Sequence, residues 1–378
     1  LKKKTAVFLA IALFFSGVPA RAAHTVSAAS YILIEASTGR VLAAKEENTQ
    51  RPMASTTKIM TALLALEEEN CHERFVVDSE AIRVEGTSMG LKEGDEASLY
   101  DLAGGMLAAS GNDGANAAAV KIAGSIEAFV EKMNEKAAAL SMRSTHFVTP
   151  SGLHDEAHYS TAADMAVLAR AALKNKDFAA LCSQKSVQLY YGNPPYTRTL
   201  SNHNRLLSSY SGCIGVKTGF TKKAGRCLVS AAERDGVTLI CVTLNAPDDW
   251  ADHAALFDYG FSAVQSRAVS PNVSDVSIPV AGGTSDRMPA ALLSPGKTVL
   301  TEEEWKRVTR KIECQPFLYA PVQKGDAVGA AVYLLDGEEV CRIPLVAQEC
   351  VQYDETTQPP SFWERILSFL KDHIRFLN

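Results

Sequence analysis

Ser55-Thr56-Thr57-Lys58 sets a hydroxyl and an amine nearly one helical turn apart, so Ser55 Oγ and Lys58 Nζ share a face within hydrogen-bond reach. A buried lysine beside a second cation has its pKa lowered toward the range of a general base, and a helix N-terminus favours negative charge developing near Ser55. The chain holds two other pairs with this spacing, Ser294-Pro-Gly-Lys297 and Ser368-Phe-Leu-Lys371. The first falls in a Pro-Gly turn and the second in an amphipathic segment, contexts that suit no active site. The Ser55 pair is set apart by its company. Ser110-Gly111-Asn112 follows a predicted helix and Lys217-Thr218-Gly219 leads into a predicted hairpin, each occurring once and in that order.

These groups need a scaffold. Ser30 to Glu35 and Arg40 to Ala44 read as strands joined by the turn Ala36-Ser37-Thr38-Gly39, and a helix toward Glu69 follows Pro52. Leu99 to Ala109, Ala115 to Ala123, Ile126 to Leu140 and Thr161 to Ala172 read as the helices of an Ala-rich lobe. Arg226 to Glu233 and Thr238 to Asn245 read as a hairpin around Arg234-Asp235-Gly236, followed by a helix from Trp250 to Tyr259 that stops at Gly260. The predicted fold class is α/β (α+β): an antiparallel sheet built from the N-terminal strands and those after Lys217, with a helical lobe across the cleft. Val276 to Val280, Ala327 to Leu335 and Glu339 to Val346 predict a small all-β domain over residues 265–351.

The 378 residues carry 38 basic and 43 acidic side chains, a formal charge of −5 that excludes a nucleic-acid binder by charge. Lys2, Lys3 and Lys4, the apolar run Thr5 to Phe15 and the small-residue site at Ala20-Arg21-Ala22 predict a signal peptide over 1–22. Its removal takes four positive charges and moves −5 to −9. The eight cysteines show no Cys-x-x-Cys spacing and are expected to be mostly free, buried thiols. After the linker Gln352 to Pro360, the segment 361–378 places Phe362, Trp363, Ile366, Leu367, Leu370, Ile374 and Leu377 at helical spacing, which predicts an amphipathic helix on a membrane surface.

The three groups together form the signature of penicillin-recognising serine enzymes. The chain resembles the low-molecular-mass D-alanyl-D-alanine carboxypeptidases, penicillin-binding proteins of the Gram-positive vegetative and sporulation type. The likeness extends through Ser37-Thr38-Gly39-Arg40-Val41-Leu42, Gly86-Thr87-Ser88-Met89-Gly90-Leu91, His158-Tyr159-Ser160-Thr161-Ala162, Asn202-His203-Asn204 and Phe257-Asp258-Tyr259-Gly260-Phe261. It implies a penicillin-binding-protein/β-lactamase-like transpeptidase fold over 23–264, with a C-terminal β domain and amphipathic anchor.

It also implies roles. Ser55 attacks the carbonyl of the penultimate D-alanine, Lys58 takes its proton, Ser110 relays a proton to the departing D-alanine, and Asn112 orients Lys58. Lys217 supplies charge, Thr218 binds the terminal carboxylate, and Gly219 lets the strand approach so that Ser55 and Phe220 N–H groups form the oxyanion hole. At two positions where some relatives carry an arginine the chain reads His203 and Asp249, which leaves carboxylate recognition to Lys217 and Thr218. No cofactor or metal is implied. The implied partners are peptidoglycan stem peptides, β-lactams as covalent inhibitors and the outer face of the cytoplasmic membrane.

Other residues read more plainly. His154 and His158 lack a third ligand at metal-binding spacing, Asp248, Asp249 and Asp252 read as caps of the helix that follows, and Glu67 to Glu69 as a solvated helix end. Two rivals stay open on the sequence: a serine β-lactamase, which lacks here a Glu-x-x-Leu-Asn deacylating motif, and a wall-binding or penicillin-sequestering protein with little turnover.

Overall fold

The computed structural model describes residues 26–269 and 276–354, together with Trp363 and Ile366. The signal peptide expected over 1–22 lies outside the described residues, as does the amphipathic helix expected over 361–378 apart from those two. No helix among the described residues is long and apolar enough to cross a membrane. Between Gln265 and Ser266 the chain divides into two compact units.

The strands of the first unit are β1 (Ser30–Glu35), β2 (Val41–Lys45), β3 (Arg74–Val76), β4 (Glu96–Ser98), β5 (Ser186–Gly192), β6 (Pro195–Ser201), β7 (Cys213–Thr221), β8 (Gly225–Arg234) and β9 (Val237–Leu244). Its helices are α1 (Lys58–Glu67), α2 (Leu99–Ala108), α3 (Asn112–Ala123), α4 (Ile126–Ala139), α5 (Ala162–Ala172), α6 (Lys176–Cys182), α7 (Leu206–Ser209) and α8 (Asp249–Ala263). Five strands form an antiparallel sheet in the order β2-β1-β9-β8-β7. The runs Cys227–Ala232 and Leu239–Leu244 are buried on both faces, as continuous apolar strands in a sheet covered on both sides must be. A second antiparallel sheet, β3-β4-β5-β6, edges the helical lobe.

The β1–β2 turn is held by Glu35, whose carboxylate accepts from Ser37 N and Oγ and from Thr38 N and Oγ1 at 2.6–2.9 Å. That is the local reason for Ser37-Thr38 after Glu35. Helix α2 starts with a capping box between Ser98 and Asp101, and α5 with Thr161 Oγ1 accepting from Asp164 N at 3.0 Å. Helix α1 is buried along most of its length, with Ile59, Met60, Ala62, Leu63, Ala65 and Leu66 in the core. Truncating one of its large apolar side chains to Ala costs about 2–5 kcal/mol. A helix so enclosed holds its N-terminal turn rigidly.

Strand β10 (Gln265–Ala268) starts at the division, and the second unit continues with β11 (Ser277–Ala281), β12 (Arg287–Leu292), β13 (Lys297–Leu300), the short α9 (Glu302–Trp305), β14 (Val308–Cys314), β15 (Leu318–Tyr319), β16 (Ala327–Leu335) and β17 (Glu338–Ala347). Six strands pair in the order β14-β16-β17-β12-β11-β15, around a core that includes Ile278, Val280, Met288, Val322, Val328 and Leu345.

Two expectations need correction. All eight cysteines are free, but only Cys71, Cys182, Cys227 and Cys241 are buried, while Cys314 and Cys350 are exposed on the β unit. Of the aspartates near α8 only Asp249 accepts from a first-turn N–H, that of Trp250, and none forms the expected cap. Asp248 occupies the cap position without a side-chain bond to the helix. Asp252 instead ties down the N-terminal segment, accepting from Ser27 N and Oγ and from Ala28 N, and Asp249 pairs with Arg226.

Candidate active site

Ser55 sits in a 3-10 turn, Ala54–Thr57, that runs into α1, and Ala54 before it takes a left-handed φ of 48°. Such a conformation persists in a non-glycine residue only where surroundings impose it. The loop below supplies that constraint. Gly152, at φ +82°, lies so close that a Cβ there would stand 2.0 Å from Ala54 O. Thr57 Oγ1 donates to Ala54 O at 2.7 Å and meets His158 Nε2 at 2.8 Å. His158 Nδ1 accepts from Val148 N at 2.9 Å, so its proton is on Nε2, and burial pushes its pKa down to about 4. A neutral histidine thus links the nucleophile's turn to the loop beneath it rather than binding a metal.

Lys58 is fully buried, and its Nζ lies 3.0 Å from Ser55 Oγ, 2.7 Å from Asn112 Oδ1 and 2.6 Å from Ser151 O. Asn112 Nδ2 donates to Glu85 O at 2.6 Å, which fixes the amide so that Oδ1 faces the lysine. Burial, reinforced by the nearby Lys217, holds Lys58 well below the ordinary lysine range, while Asp113 opposes this. A neutral amine spends its two N–H groups on the two carbonyl oxygens, leaving its lone pair toward Ser55 Oγ–H.

The segment 87–91 wraps the start of α3: Asp113 accepts from Ser88 Oγ and from the N–H groups of Met89, Gly90 and Leu91. Thr87 Oγ1 donates to Ser110 O at 2.6 Å, and Ser110 takes φ 61°. These bonds set Ser110 and Asn112 on the helical-lobe side of the cleft. Across it, β7 carries Lys217, Thr218, Gly219 and Phe220. Lys217 is buried, donates to Thr218 O at 2.8 Å, and is lowered by burial to about 7. Gly219 abuts the nucleophile's turn, since a Cβ there would lie 3.1 Å from Ser55 N and 3.0 Å from Met53 O.

A cleft of about 620 Å³ opens over these groups, lined by Ser55, Ser110, Asn112, Thr218, Gly219 and Phe220 among others. Of the eight site residues expected, Lys58 and Lys217 are not on its wall, because both are buried behind it. Sequence reasoning missed Ser151 and Glu85, which act through carbonyl oxygens that no residue type announces. It also missed Arg226 and Trp250, which line the cleft with Asp249. Arg226 Nε and Nη2 reach Asp249 Oδ1 at 2.9 and 2.8 Å, and the guanidinium lies over Trp250, 5.4 Å from the ring centroid. Among the described residues one possible metal-ligand group occurs, Cys71, His72 and Asp177, and none of the three lines the cleft.

Comparison with known proteins bears on this geometry. The profile of the family described as D-alanyl-D-alanine carboxypeptidase matches residues 18–248, and that of the penicillin-binding protein 5 C-terminal domain matches residues 269–353. The chain is similar to the D-alanyl-D-alanine carboxypeptidase DacF of Bacillus subtilis, with 33% identity over 333 residues that cover 85% of each chain. It is similar to DacB2 of Mycobacterium tuberculosis, 37% identical over 243 residues, covering 62% of this chain and 82% of that one. Among solved structures, penicillin binding protein 5 from Haemophilus influenzae superposes with a TM-score of 0.68 at 25% identity, over 88% of this chain and all of that one.

Proposed function

Because the chain belongs to the D-alanyl-D-alanine carboxypeptidase family, whose members are serine hydrolases, we propose that it removes the terminal D-alanine from peptidoglycan stem pentapeptides through an acyl-enzyme on Ser55. The observation that carries this reading is the setting of Lys58, a buried amine whose pKa is lowered, held by two carbonyl oxygens and aimed at Ser55 Oγ.

In the proposed reaction Ser55 Oγ attacks the carbonyl carbon of the penultimate D-alanine and its proton passes to Lys58 Nζ. The oxyanion that forms is held by the Ser55 and Phe220 N–H groups, which the close approach of Gly219 supports. The C–N bond then breaks, and a proton travels from Lys58 through Ser110 Oγ to the departing amine. That Ser110 lines the same cleft as Ser55 supports this relay. Water next attacks the ester carbonyl and gives its proton to Lys58, which returns it to Ser55 Oγ as the acyl C–O bond breaks, releasing the shortened peptide and the free serine. A β-lactam follows the first half of this course, but its leaving amine stays tethered and the adduct persists.

The proposal includes a mature catalytic domain over 23–264, the β-rich domain over 265–351, and a peripheral position on the outer face of the cytoplasmic membrane through 361–378. The last part rests on the amphipathic spacing of that segment. Deleting Ser361 to Asn378 is expected to release the protein from membranes with its peptidase activity intact, and continued membrane association would refute the anchor.

Intact-protein mass spectrometry tests the reaction. With a D-Ala-D-Ala pentapeptide the protein is expected to release one D-alanine, and with benzylpenicillin to gain a penicilloyl adduct that maps to Ser55. Labelling that survives Ser55→Ala overturns the assignment. Rapid penicillin hydrolysis without peptide trimming would identify a β-lactamase.

A further inference from the structure

Asp249 brings a carboxylate to the wall of a cleft whose proposed substrate ends in a carboxylate. Alone it would repel that group. It is not alone, because Arg226 Nε and Nη2 both reach Asp249 Oδ1, and Trp250 N donates to the same oxygen at 3.0 Å. The Asp249 side chain is 3% exposed and that of Arg226 40% exposed, so the anion lies beneath and the guanidinium faces the opening. The indole of Trp250 supports the guanidinium from one side. Nη1 has no hydrogen-bond partner among the described residues, and Arg226 remains free to donate there to a ligand. The backbone of Arg226 is fixed as well: it pairs with Phe220 across the β7–β8 ladder, and its carbonyl accepts from Ala246 N at 2.9 Å.

The position suits the substrate. With the scissile carbonyl between Ser55 and Phe220, the carboxylate of the last D-alanine lies one Cα beyond the leaving nitrogen. Thr218 and Arg226, both on the cleft wall, stand on the two neighbouring strands that flank that place. A planar guanidinium with one edge committed and the other open is suited to fork onto a carboxylate. We propose that Arg226, presented by Asp249 and Trp250, is the cation that recognises the C-terminal carboxylate of the substrate, beside Thr218. Asp249 and Trp250 are then positioning residues, and the inference rests on the reaction proposed at Ser55.

The test compares diacetyl-L-Lys-D-Ala-D-Ala with its C-terminal amide, measuring kcat/KM for release of D-alanine or D-alaninamide. The wild type is expected to prefer the acid. Arg226→Gln is expected to lower kcat/KM on the acid by about 10- to 100-fold, mainly through KM, and to change the amide by no more than about threefold. Asp249→Asn, which loosens the guanidinium, is expected to erode the same preference part of the way. Should Arg226→Gln fail to fold, Arg226→Lys retains a cation over Trp250 and must still lose preference, because an ammonium cannot fork. Equal losses on both substrates, or none on either, overturn the inference and leave the peptidase reading standing. So does a preference lost in Arg205→Gln and kept in Arg226→Gln, since Arg205 also lines the cleft. A wild type that releases neither product overturns the peptidase reading, and the inference with it.

Discussion

Asn112 holds Lys58 through a bond with a fixed direction: Oδ1 accepts from Nζ at 2.7 Å because Nδ2 is committed to Glu85 O at 2.6 Å. Asn112→Ala removes that acceptor and frees the amine to turn away from Ser55. Penicillin acylation is expected to fall by roughly 10²- to 10³-fold at every pH. Asn112→Asp keeps the acceptor but adds a negative charge, which favours the ammonium form and raises the pKa of Lys58. Acylation by this variant should be slow near neutrality and recover as pH rises. Stopped-flow acylation rates against pH distinguish the two, and identical profiles would contradict the orienting role.

Gly152 and Gly219 both press on the nucleophile's turn but should fail differently. At Gly152 a side chain would need a left-handed backbone and would collide with Ala54 O at 2.0 Å. Gly152→Ala is therefore expected to lose on the order of 3 kcal/mol of stability, read by urea unfolding. At Gly219 a Cβ meets backbone atoms at 3.0–3.1 Å, which a shift of a few tenths of an ångström would relieve. Gly219→Ala should fold with a loss of about 1 kcal/mol, yet acylate roughly 10²-fold more slowly because the strand moves away from Ser55 N. The reverse ranking would contradict this account.

Much of this site was legible in the chain because its side chains come in short groups: Ser55 with Lys58, Ser110 with Asn112, and Lys217 with Thr218. The helix beginning at Thr161 was legible from its cap and the strand pair after Arg226 from its turn. The main-chain oxygens were not: Ser151 O, which accepts from Lys58, and Glu85 O, which accepts from Asn112, are placed by loop geometry. The β5–β6 hairpin carries alternating burial at Val187, Leu189 and Tyr191, a period-two strand signal. Local spacing suggests a cap at Asp249, but its ion-pair partner, Arg226, is 23 residues away and meets it only where α8 packs on β8. Local patterns identify caps well, but an ion pair between residues distant in sequence is a tertiary fact.

The cysteines divide by environment. Burial raises the thiol pKa of Cys182 to about 12 and that of Cys227 to about 11, and burial with Asp252 adding to it holds Cys241 well above the ordinary thiol value. Thiolates are the reactive form, so these three should resist modification in the native protein. Cys314 and Cys350 are exposed. Titration with a disulfide reagent is expected to give two fast thiols, mapping to these positions, and the buried thiols only on unfolding. Early labelling of Cys227 or Cys241 would mean that the sheet opens.

His253 lies beneath the main sheet, bonded at Nδ1 to Ser230 Oγ and 2.9 Å from Thr243 Oγ1 at Nε2, and burial lowers its pKa to about 3. With His158 at about 4, the fold holds two histidines that stay neutral where the unfolded chain, titrating near 6.5, takes up protons. Stability from these groups is fully present above pH 6.5 and is lost as pH falls toward the folded pKa values. Near pH 5 the unfolded state binds about one more proton per histidine, a slope of roughly 1.4 kcal/mol per pH unit for each. Urea unfolding between pH 5 and 6.5 should show the combined slope. His253→Gln should lower stability at pH 7 by removing a buried bridge between strands and α8, while reducing the acid slope by roughly 1.4 kcal/mol per pH unit. The comparison is between two proteins that share every carboxylate, so common titrations cancel. An unchanged slope would mean that His253 is protonated in the fold or reached by water.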